Sequence, residues 1–346
     1  MIKEWWHPDR FALRRGRIEQ RGRILEAVRR FFDERGFAEV DTPALQVSPG
    51  LEPHLQAFAT ELRDTPDRRV VPRYLHTSPE YSMKKLLVAG LPRIWQLAHV
   101  FRNAERSATH HPEFSMLEWY RTGASYRDLM GECAALVRAC QEAAGAEALT
   151  WRGYTADAKR EWQRVSVAEA FRIDCGVDLL ATAPDAAKPD IGLLAAAARG
   201  IGIDPHPGDD WETLFFRIFL DRIEPRLGLG APTILYDYPI SMAALSRPSP
   251  EDLRLAERFE VYVCGLELAN AFGELTDPAE QRARFIADQA RKRALYGYSY
   301  PIDEDFLAAL EHGLPPCAGI ALGFDRLVML ATGADDLEEV LWVPVR

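Results

Sequence analysis

Charged side chains stand inside several apolar segments of this chain, where burial is costly unless the charges are paired or used. Arg102 and Arg326 each adjoin a strand-like segment. A guanidinium group binds phosphate oxygens through two parallel hydrogen bonds, so two such arginines suit a nucleotide. Several carboxylates together can hold a magnesium ion or an ammonium group. Carboxylates with polar or aromatic neighbours occur in two segments, which contribute Phe114, Glu118 and Tyr120, then Glu267, Asn270 and Glu274.

Each of these residues also has a structural interpretation. The two arginines could form ion pairs, the carboxylates could pair with helix ends or bases, and Phe114 and Tyr120 could belong to the core. Ser78 could act only as a helix cap. His110 and His111 suggest a metal, but no third ligand lies at a telling spacing. No Walker-type loop and no G-x-G-x-x-G segment occurs, which disfavours P-loop and Rossmann folds.

The elements that position these groups can be predicted from periodicity and capping residues. A long helix is predicted over residues 9–35, with Asp9 as its N-cap and Gly36 placed to end it. Its apolar stripe consists of Ile18, Leu25, Val28 and Phe32. The extended segment 37–43 contains a proline and is therefore predicted to lie at an edge or an interface.

The remaining elements alternate between strands and helices. A short strand at 73–76 precedes Ser78 and Pro79, which announce a helix as its cap and first residue. Strands are predicted at 93–102, 114–121, 233–238, 258–268 and 319–323, and helices at 277–295 and 325–332. Strands with hairpin-like neighbours, separated by helices of varied length, indicate an α+β fold in which helices flank an antiparallel β-sheet.

One catalytic domain is predicted over residues 1–346, with an insertion at about 146–231. In the insertion Ser166 and Glu169 cap one helix, and Asp209 or Asp210 begins another that reaches Leu227. The stretch between these helices is rich in Ala, Pro, Asp and Gly, which is typical of connecting segments and not of a separate catalytic unit.

Composition allows a large core and excludes some classes of protein. The chain has 346 residues, 47% of them apolar, and a formal net charge of −10. The sequence contains no run of about 18 uncharged apolar residues, so no membrane span is predicted. Met1 to Arg17 lacks the apolar run of a secretory signal. Five cysteines without a C-x-x-C pair indicate a reducing cytoplasm and no zinc site. The basic stretch Arg10 to Arg30 is typical of a solvated helix face, so charge gives tRNA binding no support.

Three segments resemble, in order and in spacing, the signature motifs of class II aminoacyl-tRNA synthetases. They are Gly36 to Pro43, Phe101 to Glu118, and Gly319 to Arg326 with its Gly-x-Asp-Arg ending. Thr77 to Glu80 and Glu267 to Asn270 are similar to the lysyl branch. The resemblance spans about residues 10 to 346. It implies the catalytic core of that family, a homodimer built on the first motif, and amino-acid activation with ATP and Mg²⁺.

The resemblance also implies a role for individual residues. ATP would contact Arg102, Asn103, Ala104, His111, Phe114, Glu267, Leu268, Gly323 and Arg326. The amino acid would contact Ser78, Pro79, Glu80, Glu118, Tyr120, Asn270, Glu274 and Ala321. Catalysis would depend on Arg102, Glu267 and Arg326, with Glu267 also holding magnesium. Ala104 departs from the glutamate usual there, although Glu105 follows, and His111 replaces an asparagine.

Within the family, the resemblance favours a branch that does not act on tRNA. Lysyl-tRNA synthetases carry an N-terminal OB-fold of on the order of 100 residues, and the first predicted helix starts too early for one. This implies a stand-alone relative that transfers (R)-β-lysine or lysine to a lysine side chain of elongation factor P. Ala321 stands where tRNA-charging enzymes tend to have glycine, and one methyl group can shift discrimination by roughly 1–3 kcal/mol.

Other functions stay open at this stage. One is a small tRNA-charging enzyme without an anticodon domain, which differs only in its acceptor. Another is a non-catalytic paralogue that acts as a binding protein, although Arg102, Glu267 and Arg326 are all present. A third is an amide-forming relative such as the ammonia-type asparagine synthetase, which the carboxylates suited to a second ammonium group disfavour.

Overall fold

The protein is described by a computed structural model that covers residues 4–63 and 69–346. Met1 to Lys3 of the N-terminal segment considered above lie outside the described residues. The strands are β1 (Ala38–Glu39), β2 (Leu45–Gln46), β3 (Ala59–Arg63), β4 (Val70–Leu75), β5 (Arg93–Phe101), β6 (Glu113–Thr122), β7 (Leu149–Trp151), β8 (Tyr154–Ala156), β9 (Gln163–Ser166), β10 (Thr233–Pro239), β11 (Leu255–Val263), β12 (Leu266–Gly273) and β13 (Cys317–Gly323). The α-helices are α1 (Pro8–Asp33), α2 (Glu80–Val88), α3 (Tyr126–Ala144), α4 (Val167–Cys175), α5 (Ile191–Gly200), α6 (Trp211–Ile218), α7 (Pro278–Tyr296), α8 (Glu304–Gly313) and α9 (Phe324–Thr332).

Eight of the described strands form a central sheet in the order β1-β5-β6-β13-β12-β11-β10-β9. The six inner strands pair antiparallel, whereas β1 pairs parallel with β5, and β9 pairs parallel with β10. The predicted α+β fold, an antiparallel sheet flanked by helices, is therefore confirmed, with parallel pairs at both edges. No helix in the described ranges is long and apolar enough to cross a membrane.

Alternate residues of the central strands face two apolar clusters, as the period of two requires. Trp119 on β6 packs in the cluster that α1, α3 and α9 cover, while Tyr120 packs in the cluster that α2, α7 and α8 cover. The functional side chains can therefore occupy one face while the other face supplies a continuous core.

Helix α1 starts one residue earlier than its predicted cap. His7 is the N-cap and its ring accepts a hydrogen bond from the Asp9 N–H over 3.3 Å, and Pro8 fills the first helical position. Asp9 was therefore wrongly predicted as the cap; it lies in the first turn, where a negative charge favours the helix N-terminus. Gly36 follows the helix with φ +67°, a conformation that glycine adopts without a steric penalty.

The start of α2 also differs from the prediction. Glu80 is the first helical residue, and Pro79 occupies the cap position that Ser78 was predicted to fill. Ser78 still supports this end of the helix, because its Oγ accepts a hydrogen bond from the Glu80 N–H over 3.0 Å.

The predicted single strand 258–268 is wrong, because the chain reverses inside it. Strands β11 and β12 form a hairpin whose two turn residues, Cys264 and Gly265, have φ +56° and +73°. Positive φ at both central residues is the signature of the turn that matches the twist of paired strands. A hydrogen bond from the Cys264 N–H to the Gly228 carbonyl oxygen (2.8 Å) stabilises the less usual residue of the turn.

Residues 146–231 are joined closely to the sheet. Strand β9 from this region pairs with β10, and α4 to α6 pack into an apolar cluster that also takes in Leu235, Tyr238 and Tyr262. Asp210 caps α6, as one of the two predicted alternatives. The α-helix ends at Ile218, and the chain continues in a π-turn and a 3₁₀ turn to Arg226, close to the predicted end. The extent of the insertion stays a prediction.

Candidate active site

A cavity of about 510 Å³ opens on the face of the sheet formed by β6, β12 and β13. The adjacent strands bring distant motifs together, because Ala321 pairs with Asn270 on one side and with Glu118 on the other. Predicted site residues that line the cavity are Ser78, Glu80, Arg102, His111, Phe114, Glu267, Leu268, Asn270, Ala321, Gly323 and Arg326. Predicted site residues outside the lining are Pro79, Asn103, Ala104, Glu118, Tyr120 and Glu274.

Two arginines face one end of the cavity. The guanidinium carbon of Arg102 lies 5.3 Å from the ring centre of Phe114, and its buried Nε has no hydrogen-bond partner within residues 4–63 and 69–346. Arg326, in the first turn of α9, donates from Nη1 to the Glu267 carbonyl oxygen over 2.8 Å. Burial lowers the pKa of Arg326. The Glu267 carboxylate counteracts this shift, whereas the positive charge of Arg102 lowers the pKa further. Two half-buried guanidinium groups at one end of a cavity suit an anion between them.

His110 orients the second arginine. Nη2 of Arg326 donates to Nε2 of His110 over 2.9 Å, and Nε donates to the Thr109 carbonyl oxygen over 3.2 Å. Burial, followed by the charges of Arg326 and Arg102, lowers the pKa of His110 to about 4. The imidazole is therefore neutral at pH 7 and accepts the hydrogen bond without adding a positive charge to this end of the cavity.

Glu267 supplies a carboxylate beside the arginines. Its side chain makes no hydrogen bond with any described residue, and burial followed by Glu260 raises its pKa to about 7. Glu260 is satisfied, since it accepts from Arg258 and from the hydroxyls of Tyr238 and Tyr262, each over 2.6 Å. Among the described side chains, no three or more His, Cys, Asp or Glu residues form a group that could hold a metal ion by themselves. Magnesium takes only one or two carboxylates when phosphates and water complete its shell, so a free Glu267 fits that ion.

The opposite end of the cavity is built around carboxylates. Glu118 on β6 accepts from Ser78 Oγ over 2.7 Å and from the Tyr120 hydroxyl over 2.8 Å. Burial, followed by the charge of Glu80, raises its pKa to about 8. Glu80 lines the cavity, whereas Glu118 lies directly behind the wall. A cationic group bound here would stabilise the ionised form of both carboxylates.

A buried lysine joins two further carboxylates. Lys84 on α2 pairs with Glu80, one helical turn away, and with Glu274 after β12, whose Oε2 lies 2.6 Å from the ammonium nitrogen. Burial alone would lower the pKa of Lys84, but Glu274 and Glu80 outweigh it and hold that pKa above its usual range. The ammonium group is therefore charged at neutral pH, and Glu274 is enclosed with it behind the cavity wall.

Residues 10–346 match the family of class II tRNA synthetases described as D, K and N. The chain belongs to this family. The elongation factor P–(R)-β-lysine ligase of Vibrio cholerae serotype O1 is 41% identical over 327 residues, 94% of either chain. The protein of that name from Edwardsiella ictaluri is 42% identical over 323 residues, 93% of either chain. The lysine–tRNA ligase of Pelotomaculum thermopropionicum is 36% identical over 331 residues, which are 95% of this chain and 63% of the relative.

The predicted resemblance to class II synthetases and to this stand-alone ligase is thus confirmed. The second motif lies mainly in the β5–β6 hairpin, and the third joins β13 to α9. Its first motif holds the edge strand β1, and both residues of that strand are exposed. Asp325, the acidic residue of the Gly-x-Asp-Arg ending, accepts from the Ser115 N–H over 2.6 Å and forms a buried ion pair with Arg21 on α1. The second and third motifs are therefore tied directly to each other.

The two departures from the usual synthetase pattern have distinct surroundings. Ala104 adopts φ +62° and lies outside the cavity, while the neighbouring Glu105 lines it. His111 is buried; its Nδ1 bonds to the Glu113 carbonyl oxygen, and its Nε2 accepts from the Val345 N–H over 3.2 Å. His111 thus fixes the loop of the second motif to the last residues of the chain.

Sequence reasoning missed several groups at the cavity. Glu52 and His54 come from the loop after β2, Glu212 from α6, and Asp288 and Arg291 from α7. Arg291 pairs with Glu212 and lies 3.2 Å from Asp210, so it links α7 to α6 at the cavity rim. The i, i+3 spacing of Asp288 and Arg291 puts both on one face of a helix, which was the one signal available. The loop and α6 residues gave none.

Proposed function

We propose that this chain is an ATP-dependent ligase that activates (R)-β-lysine or lysine as an aminoacyl-adenylate and transfers it to a lysine side chain of elongation factor P. The observation that carries the proposal is the division of one cavity into two ends of opposite charge. Arg102 and Arg326 face one end, and Glu80 with Glu118 behind it forms the other. The names of the 41% and 42% identical relatives support the acceptor and the amino acid.

The activation step joins the two ends of the cavity. The substrate carboxylate attacks the α-phosphorus of ATP, a new P–O bond forms, and pyrophosphate leaves. Arg102 neutralises the α-phosphate and the carboxylate, and Arg326 neutralises the departing phosphates. The attacking carboxylate is already ionised, so positioning and charge neutralisation replace a general base. Phe114 offers its ring to adenine opposite the Arg102 guanidinium.

Further contacts to ATP come from the neighbouring backbone and side chains. We assign these to Asn103, Ala104, His111, Leu268 and Gly323. Glu267 would hold Mg²⁺, which supplies positive charge to the phosphate oxygens when it is bound. The carboxylate of Glu267 supports this assignment, because it is desolvated and makes no hydrogen bond with a described residue. Burial and Glu260 raise its pKa, and a bound cation would stabilise its ionised form.

The amino acid occupies the acidic end. Its two ammonium groups are drawn by Glu80 and Glu118, while Ser78, Pro79, Tyr120, Asn270, Glu274 and Ala321 shape and support the pocket. Asn270 supports this role because it lines the cavity, and its buried Oδ1 accepts no hydrogen bond from any described residue. In the transfer step the neutral acceptor amine attacks the carbonyl carbon of the adenylate, an amide forms, and AMP leaves with the substrate oxygen.

An intact-mass assay tests the acceptor. The protein is incubated with ATP, magnesium and (R)-β-lysine, with elongation factor P in one tube and lysine tRNA in another, and repeated with lysine as the amino acid. A mass gain on elongation factor P alone supports the proposal. Charged tRNA with unmodified factor overturns the proposed acceptor. If neither acceptor changes and no pyrophosphate forms, the chain acts as a non-catalytic binding protein.

A tRNA-charging enzyme is the second candidate. It is favoured by the 36% identity to a lysine–tRNA ligase over nearly all of this chain. The net charge of −10 counts against it, because phosphate-backbone binding depends on basic surface.

We also propose a homodimer formed through the first motif and a cytoplasmic location. The five free cysteines support a reducing compartment.

A further inference from the structure

Lys84 is the fully buried ammonium group of the carboxylate cluster behind the cavity. Burying an ion pair is costly, and two apolar side chains of similar size often give equal stability. Here the ion pairs of Lys84 lie beside the proposed amino-acid pocket, since Glu80 lines the cavity and Glu274, directly after β12, contacts Lys84. This position gives the lysine a consequence for binding that a structural pair elsewhere in the fold would lack.

The charge of the pocket depends on Lys84. Three carboxylates, Glu80, Glu118 and Glu274, carry three negative charges when a bound cation keeps them ionised, and Lys84 cancels one, which leaves two. A lysine-like amino acid brings two ammonium groups, so the count matches. Glu52 also approaches Glu80, but Arg102 and Lys292 are its own neighbouring cations.

We propose that Lys84 is a positioning residue that sets the charge of the amino-acid pocket and fixes the Glu80 carboxylate toward it. This inference rests on the proposed function. The Lys84 ammonium lies between Glu80 and Glu274 as their shared counter-ion and offsets their mutual repulsion. Without it, the two carboxylates repel each other, and Glu80 is no longer held in its position at the cavity.

A double-mutant cycle tests the inference through ATP–pyrophosphate exchange. Lys84→Met should raise the KM for the amino acid about tenfold or more, because like charges are left unpaired in a buried site. Glu274→Gln should also raise it, because it reduces the charge of the pocket to one. The double variant restores two negative charges and should lie within about threefold of the wild type, a coupling that independent sites do not show. The KM for ATP should stay unchanged throughout.

Lys85→Met is the matched control. Lys85 is adjacent in sequence and also pairs with two carboxylates, Asp303 at 3.0 Å and Asp305 at 2.7 Å, but it lies outside the cavity lining. This variant should lower thermal stability without changing the KM for the amino acid. Thermal unfolding of all four variants separates loss of folding from loss of binding.

The outcomes distinguish the two levels of the proposal. If the wild type gives no exchange with any lysine-like amino acid, the proposed function fails. If the wild type is active but Lys84→Met keeps the wild-type KM, the inference fails alone. If Lys84→Met does not fold, the double variant decides: a near-wild-type KM supports the inference, and a KM above that of Glu274→Gln overturns it.

Discussion

Individual side chains of the cavity give the sharpest predictions, and Arg326 is the first. Its three hydrogen bonds, to Thr109, His110 and Glu267, hold the guanidinium in place before any ligand binds. Arg326→Ala should reduce kcat/KM for ATP–pyrophosphate exchange by about 10²–10³-fold, because preorganised charge at the reacting phosphates is lost.

Arg106→Ala is the control for Arg326. It comes from the same loop as His110, but its exposed side chain pairs with Glu338 over 3.2 Å and lies outside the cavity. Exposed pairs contribute about 0–1 kcal/mol, so this variant should stay within a few-fold of wild-type activity. Equal losses in the two variants would contradict the proposed phosphate role of Arg326.

Glu118 should give amino-acid binding a pH dependence. Its pKa is raised to about 8, so in the free protein it holds a proton over much of the neutral range and lacks the charge that an ammonium group needs. The KM for the amino acid should therefore fall as the pH rises through about 8. Glu118→Gln should flatten this dependence relative to wild type, and titration of the amino acid itself contributes equally to both. Parallel pH profiles would contradict the role.

At the scale of residues, spacing along the sequence indicated which motif side chains share a cavity, but it did not indicate which oppositely charged residues pair with them. Arg102, Glu267 and Arg326 stand in segments with recognisable spacing, and the structure brings them to one cavity. Lys84 and Glu52 escaped prediction, because a lysine on a helix or a glutamate in a loop carries no signal of its partner. Pairing across elements depends on tertiary packing, which spacing along one segment does not report.

Among the elements, β13 depends on a glycine where it passes the carboxylate cluster. A Cβ on Gly319 would come within 2.2 Å of the Tyr120 ring and 2.4 Å of Glu274. Gly319→Ala should therefore destabilise the fold by about 1–3 kcal/mol, as overpacking does, and should raise the KM for the amino acid. Urea unfolding and pyrophosphate exchange measure the two effects.

Gly131→Ala is the matched glycine control. Gly131 lies inside α3 and a Cβ there would meet nothing within 4 Å. Alanine is the better helix former by about 1 kcal/mol, so this variant should be stabilised with unchanged kinetics. If Gly319→Ala behaved in the same way, the close approach of β13 to Tyr120 would be refuted.

Helix α1 is tied to the third motif through one buried ion pair. Arg21 contacts Asp325 and also donates to Ser115 Oγ over 3.0 Å. Arg21→Ala should cost about 3–5 kcal/mol in the free energy of unfolding, because Asp325 is left buried and unpaired. Arg29 lies on the same helix, and Arg29→Ala, which breaks an exposed pair with Glu39 of β1, should cost less than about 1 kcal/mol. Chemical denaturation compares them, and similar costs would contradict this account.

Element boundaries were predictable where a local signal existed. The Ser166 cap, whose Oγ accepts from the Glu169 N–H over 3.2 Å, and the turn glycine after α1 act within a few residues of the helix ends they mark. The β11–β12 turn was missed because Cys264 is an unusual residue at positive φ, although Gly265 beside it was visible. Helix α8 was also missed, despite its Asp303 cap, whose side chain accepts from the Phe306 N–H over 3.0 Å.

For the whole molecule, the main prediction concerns assembly. Strand β1 is an exposed edge of the central sheet and lies in the first motif, through which we propose that the dimer forms. An uncovered edge presents unpaired backbone groups that a second copy can use. Light scattering at micromolar concentration should give twice the mass of the chain. A monomer mass would contradict the proposed dimer.

The overall fold was more predictable than its subdivision. Strands with hairpin-like neighbours, separated by helices of varied length, were enough to predict the antiparallel sheet, because strands joined by short turns pair antiparallel. The role of residues 146–231 was harder to predict, since β9 completes the main sheet while α6 reaches the cavity rim through Glu212. Change of composition along a chain does not reveal such long-range contacts.

The anchoring of Val345 bears on how the protein should be produced for these experiments. Its N–H bonds to His111 and its carbonyl oxygen accepts from Arg106 over 3.1 Å, so both backbone groups are engaged by the loop of the second motif. An affinity tag fused after Arg346 would begin one residue from this contact. Purification through the opposite terminus is therefore the better choice, because it leaves the contact between Val345 and the cavity residue His111 undisturbed.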